Sequence, residues 1–72
     1  MKFCKSDVGK WVLFMKSIDG TTVYLADRHK TKSQWWTTDV NKIMKFYKKS
    51  AAEYQRNRYH KVSLLPITSK MI

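Results

Sequence analysis

The stretch K10-WVLFMKSIDGTTVYL-A26 decides the fold, because it contains two strand-like runs joined by a turn signal. KWVLFMKSI and TTVYLA are rich in β-branched and aromatic residues, which fit a pleated, half-buried surface. Asp19-Gly20 between them predicts a β-hairpin with a two-residue type I′ turn. That loop pairs Ile18 with Thr21, so Lys16 faces Val23, Met15 faces Tyr24 and Phe14 faces Leu25. One face then carries Val12, Phe14, Ile18, Val23 and Leu25 and is the expected core. The other carries Trp11, Leu13, Met15, Tyr24 and Ala26. It is too apolar for a solvated sheet, so it is covered by the chain termini or a second subunit, or it binds a partner.

Downstream of the hairpin, Arg28 to Ser33 (RHKTKS) forms a basic loop, and Gln34 to Thr37 forms a third short strand. Thr38 or Asp39 caps a helical segment with Val40, Ile43, Met44 and Tyr47 at i, i+3, i+4 and i+7. Ser50-Ala-Ala-Glu53 has the form of a capping box and marks a fresh helix start at Ser50. A break over Phe46 to Lys49 is therefore expected, followed by a helix over Ala51 to Tyr59; one continuous helix from Asp39 to His60 is the rival arrangement. Lys61 to Ile67 (KVSLLPI) is a last strand, and Pro66 confines it to an edge or ends it there. The fold class is α+β: a small antiparallel sheet of hairpin, third strand, helical region and last strand, with the helix packed on one face.

Seventy-two residues, 43% of them hydrophobic, suffice for one domain. Its ordered core is expected over about residues 10–68, with looser ends. So short a chain buries only about 60% of its unfolded surface, and pairing into an oligomer would add stability. Cys4 is the only cysteine, so no internal disulfide is possible. The longest apolar run, Trp11 to Met15, is too short to span a bilayer. A cytoplasmic location is expected, and membrane binding is not.

Fifteen Lys and Arg against five acidic residues give a net charge of +10. That excess costs self-repulsion on folding and calls for a polyanionic partner. Lys42, Lys45, Lys48 and Lys49 fall at i, i+3, i+6 and i+7, which on a helix would make one basic stripe able to neutralise phosphates. Arg28, Lys30 and Lys32 lie in the loop, and Arg56 and Arg58 lie in the helix. Trp35 and Trp36 are adjacent, so in an extended segment they point to opposite sides. Trp36 is assigned to the core. Trp35 is assigned to the exposed face beside Arg28, Lys30 and Lys32, where an unpaired base could stack.

Enzymatic chemistry finds little support. Cys4 has no base linked to it, and two histidines without a Cys-x-x-Cys make no metal site. Asp19, Asp39 and Glu53 are expected in turns and caps. His29 and His60 with a lysine could cleave RNA as base and acid, but nothing in the sequence orients either ring. No cofactor is expected. The sequence thus describes a basic, non-enzymatic nucleic-acid binder, with RNA or a single strand ahead of duplex DNA. Alternatively, the basic aromatic surface inhibits an enzyme by binding protein, since Tyr, Trp and Arg also dominate protein hot spots.

Trp36-Thr37, Asp39, Phe46, the Ser50-to-Glu53 helix start and KVSLLPI resemble the order of signals in small phage accessory proteins that pair a three-stranded meander with a helix and a returning strand. The resemblance spans roughly residues 11–68. It implies core positions for Phe46 and Ala52 and a cap at Ser50. A basic phage chain of this kind is also similar to the TifA-like RNA-binding inhibitors of toxin ribonucleases. That likeness implies an RNA partner, a host protein target and a host cytoplasmic location.

Overall fold

β1 (Trp11–Lys16) and β2 (Thr22–Leu25) form the hairpin, and β3 (Trp36–Thr37), helix α1 (Lys49–Arg56) and β4 (Ser63–Pro66) follow. The computed structural model describes residues 2–72. All neighbouring strands are antiparallel, in the order β3-β2-β1-β4, and α1 packs on β1 and β4. The α+β class read from the sequence is the class observed. Among the described residues, no helix is long and apolar enough to cross a membrane.

The hairpin register is one residue away from the expected one. Phe14 pairs with Tyr24, Met15 with Val23 and Lys16 with Thr22. The loop is Ile18-Asp19-Gly20, closed by Gly20 N–H to the Ser17 carbonyl at 2.9 Å and Ser17 N–H to the Thr21 carbonyl at 2.8 Å. A type I′ turn needs positive φ at both Asp19 and Gly20, yet only Gly20 (φ 88) has it. The connection is therefore a type I turn followed by a glycine bulge. The Asp19 carboxylate fixes it by accepting the Thr21 N–H at 3.0 Å and the Ser17 hydroxyl.

The slip exchanges the face of every β2 side chain relative to β1. Leu13 now lies with Leu25 on the helix side, in a core with Phe46, Ala52 and Val62. Val12 lies on the opposite side with Phe3, Ile43 and Ile67, against which Tyr24, Leu65, Met71 and Ile72 pack. Ile18, expected in the core, sits at the turn apex and is fully exposed. Phe14, also expected in the core, is only half-buried, beside Tyr24.

Both faces of the sheet are thus covered, one by α1 and the other by the two ends of the chain. The Phe3 N–H donates to the Met71 carbonyl at 2.8 Å, joining those ends. The terminal segments take part in the core because the second apolar face needs a cover.

Residues 43 to 46 are extended where a helix was expected. Only Val40–Lys42 forms a 3₁₀ turn, with the Asp39 carboxylate accepting the Asn41 N–H at 3.0 Å. The chain then bridges Ala26 through Ile43 and Trp11 through Phe46. Met44 N–H reaches the Leu25 carbonyl at 2.9 Å, and Trp11 and Phe46 exchange two bonds of 2.7 and 2.8 Å. β1 and β2 cease to pair beyond Phe14 and Tyr24, and this segment fills the gap between them as a wedge. Its side chains alternate: Ile43 enters the core on the terminal side, and Met44 and Phe46 the core on the helix side.

The break before α1 is present, but the helix begins at Lys49, with Lys48 as an N-cap that makes no side-chain bond. Ser50 therefore lies inside the first turn and does not cap it. Glu53 lies 3.8 Å from Lys49 in place of closing a capping box.

Two tests follow from this core. Leu13→Ala should cost about 2–5 kcal/mol in denaturant unfolding, whereas Phe14→Ala should cost less than the ~3 kcal/mol of a fully buried ring. The reverse order would restore the two-residue turn. Hydrogen bonds from Ser17, and then from Thr21, lower the Asp19 pKa from 3.8 to about 2. A folded-state pKa below the unfolded one means that this stabilisation is complete above about pH 4 and disappears as pH falls through about 2. An NMR titration should place the Asp19 midpoint near 2, and Asp19→Asn should remove this component from the acid dependence of the melt.

Candidate nucleic-acid interface

The end of β2, the start of β3, the wedge and the C-terminal turn of α1 converge on one groove. Leu25 and Ala26, with Met44 and Phe46, make its apolar floor. Asp27, Arg28 and His29 from the loop and Trp35, Gln55 and Tyr59 make its walls, around a volume of about 170 Å³. Trp35, Gln55 and Tyr59 also border a second, more open hollow of about 390 Å³, whose further wall is Arg58. The two hollows share those three lining side chains.

The tryptophan pair is divided as alternation requires. Trp36 is half-buried against the helix-side core and meets Tyr59 edge-to-face, with centroids 5.6 Å apart. Trp35 is 56% exposed. The Arg28 guanidinium lies 4.1 Å from the Trp35 ring centroid and donates to the Gln34 carbonyl at 3.3 Å. The contact holds a planar cation on an exposed aromatic face. Asp27 orders the loop below it, its Oδ1 accepting the His29 N–H at 2.9 Å. Gln55 is half-buried, and its side-chain amide has no hydrogen-bond partner within the protein among the described residues.

The lysine stripe does not form, because its helix does not. Lys42 ends the 3₁₀ turn, Lys45 lies in the wedge, Lys48 caps α1 and Lys49 begins it. Lys45 turns inward: its Nζ is 3.2 Å from the Val40 carbonyl and 4.0 Å from buried Asp7. Lys10 holds the same carboxylate at 3.2 Å and lies 4.7 Å from the Tyr47 centroid. Lys49 lies 5.4 Å from the Trp11 centroid as well as beside Glu53. Lys45 and Lys49 thus have structural partners and are poor candidates for free phosphate contacts.

Lys30 lines a separate hollow of about 320 Å³ with Lys10, Lys45, Tyr47 and the two carboxylates Asp7 and Asp27. Lys32 is exposed in the loop, and Arg56 is half-buried, with its guanidinium 3.4 Å from Asn57 Oδ1. Of the candidate residues read from the sequence, Arg28, Trp35 and Arg58 line the first two hollows, and the others line neither. The fold adds Gln55, Tyr59 and His29, which the sequence reading left out of the binding set. Gln55 and Tyr59 are separated by four residues, a spacing that puts them on one side of the helix and its terminal turn. Only the fold shows that Trp35 lines the same hollows.

The positive charge is largely unopposed. Among the described residues, only Lys10, Lys45 and Lys49 have a carboxylate within 4.0 Å. Asp7, Asp19, Asp27 and Asp39 all accept nearby backbone N–H groups. Their negative charge is localised at turns. Comparison with known proteins finds no family model, no curated protein and no solved structure that matches this chain.

The division of the tryptophans is testable by thermal and denaturant melts. Trp36→Ala should destabilise by about 3 kcal/mol, as expected for a large ring removed from a core. Trp35→Ala should stay within about 0.5 kcal/mol of the parent, the usual range for a surface change. A larger loss at Trp35 than at Trp36 would reverse the assignment.

Proposed function

We propose that this protein is a small non-enzymatic binder of single-stranded nucleic acid, with RNA favoured, and that bases stack at the Trp35–Tyr59 groove. One observation carries the reading: an exposed tryptophan already bears an arginine on its face and borders an apolar hollow in a chain of charge +10. Unpaired bases stack on aromatic and guanidinium planes, and each is worth about 1–3 kcal/mol by alanine replacement. Duplexes keep their bases inside the helix, so such a groove suits loops, bulges and single strands. Arg28, Lys30, Lys32 and Arg58 supply charge near the stacking residues, and Lys42, Lys48 and Arg56 extend it across the surface.

Binding and not cleavage is the proposed activity. His29 borders the groove and His60 is absent from its lining, so the base-and-acid pair considered for RNA cleavage has only one member at the site. RNA incubated with the protein should remain intact, and His29→Ala with His60→Ala should leave it so.

A salt titration separates charge from stacking. With about four phosphates neutralised on a single strand, log K should fall against log salt with a slope near −3. Arg58→Ala should weaken binding and flatten the slope by about 0.7. Trp35→Ala should cost about 1–3 kcal/mol and leave the slope almost unchanged, because a stacked base releases no counterion. Lys45→Ala should act first on stability, since Lys45 is engaged with Asp7. Binding of RNA that is indifferent to both Arg58 and Trp35 would overturn the proposal and turn attention to a protein partner for this surface.

A further inference from the structure

Resting on that reading, we infer that Gln55 is a specificity-determining residue and that the groove seats one unpaired adenine. A volume of about 170 Å³ is smaller than the 300–1,000 Å³ typical of sites for drug-sized molecules, and it suits a single flat heterocycle. The floor of Leu25, Ala26, Met44 and Phe46 offers a base no side-chain hydrogen-bonding group. The polar choice is made at the wall, where Gln55 borders both hollows and has no protein partner for its amide.

A half-buried amide with no partner in the protein offers a donor and an acceptor side by side. Adenine answers both, with N6–H donating to the Gln55 Oε1 and N7 accepting from its Nε2. Once that edge is paired, adenine has no ring N–H that the apolar floor would leave without an acceptor. Guanine and uracil each carry a ring N–H, and an unpaired buried donor is costly. Cytosine also offers a donor beside an acceptor, N4–H and N3, but it is a smaller one-ring stacking partner. Arg28 is unsuited to reading the base edge, because its guanidinium is held on Trp35 and at the Gln34 carbonyl. Asp27 is the rival reader: one of its oxygens receives the His29 N–H, and the other could accept from the donors of guanine.

The test uses fluorescence anisotropy with labelled RNA octamers UUUXUUUU, where X is A, G, C or U, at several salt concentrations. The parent should bind X = A about tenfold more tightly than X = U, within the discrimination expected of a two-bond contact. Gln55→Ala and the similarly sized Gln55→Met should bring the two within about twofold by weakening binding of X = A, while the salt slope persists. Circular dichroism melts of both variants establish that they remain folded. Equal binding of all four octamers by the parent, with the salt slope intact, would overturn the base assignment and leave the proposed function standing. A preference for X = G that Asp27→Asn removes would overturn it in favour of Asp27. A preference for X = C over X = A would overturn the adenine assignment. No binding to any octamer would overturn both readings together.

Discussion

The wedge from Ile43 to Phe46 is the constraint on which the structure depends. β1 and β2 pair only near their turn, and beyond Phe14 and Tyr24 their inner backbone groups would be left without partners inside the molecule. An unpaired buried backbone group costs about as much as a lost hydrogen bond, so the gap must be filled or closed. The wedge fills it, taking bonds from Leu25 on one side and Trp11 on the other. Because extended chain alternates its side chains, one insertion supplies Ile43 to one core and Met44 and Phe46 to the second. The same insertion contributes to the groove, since Met44 and Phe46 line it together with Trp35 and Tyr59. Folding and the candidate site therefore share residues, and the two properties should be hard to vary independently at Met44.

Charge is partitioned with comparable consequence. Carboxylates that accept local N–H groups shape turns, and they leave little negative charge to offset the surrounding lysines and arginines. Lys10 and Lys45 share Asp7 where the N-terminal segment meets the wedge, so some of the basic residues hold the fold. The exposed remainder, Arg28 and Arg58 among them, has no carboxylate within 4.0 Å among the described residues. A count of lysines alone does not separate the two groups; their partners do.

Much of the architecture was legible because local signals agreed with it. Strand composition located the hairpin, a helix break was visible before α1, and Pro66 marked an edge strand. Adjacent tryptophans had to diverge. The register was not legible, since Asp-Gly serves both a type I′ turn and a type I turn with a glycine bulge. What separates them is the backbone of Asp19, which no spacing reveals. Val40, Ile43, Met44 and Tyr47 matched a helical period by coincidence; in a short segment the same residues also fit a turn and an alternating strand. Tertiary bonds to Ala26 and Trp11 decided for the strand. The lysine stripe inherited that misreading. Gln55 escaped notice because an isolated glutamine carries no pattern, and its partners in the groove come from segments as far apart as Leu25 and Tyr59.

The position of Pro66 at the rim of β4 has a further effect. Ile67 donates to the Lys10 carbonyl at 2.8 Å, so by alternation along the strand the backbone nitrogens of Leu64 and Pro66 point away from β1. Proline has no N–H to present there, which leaves Leu64 as the one outward backbone donor of this strand. At the opposite rim, β3 is only two residues long. Neither border gives a neighbouring molecule a ladder long enough to continue. Copies of this chain at high local concentration therefore meet no long free strand edge on which one sheet could extend another.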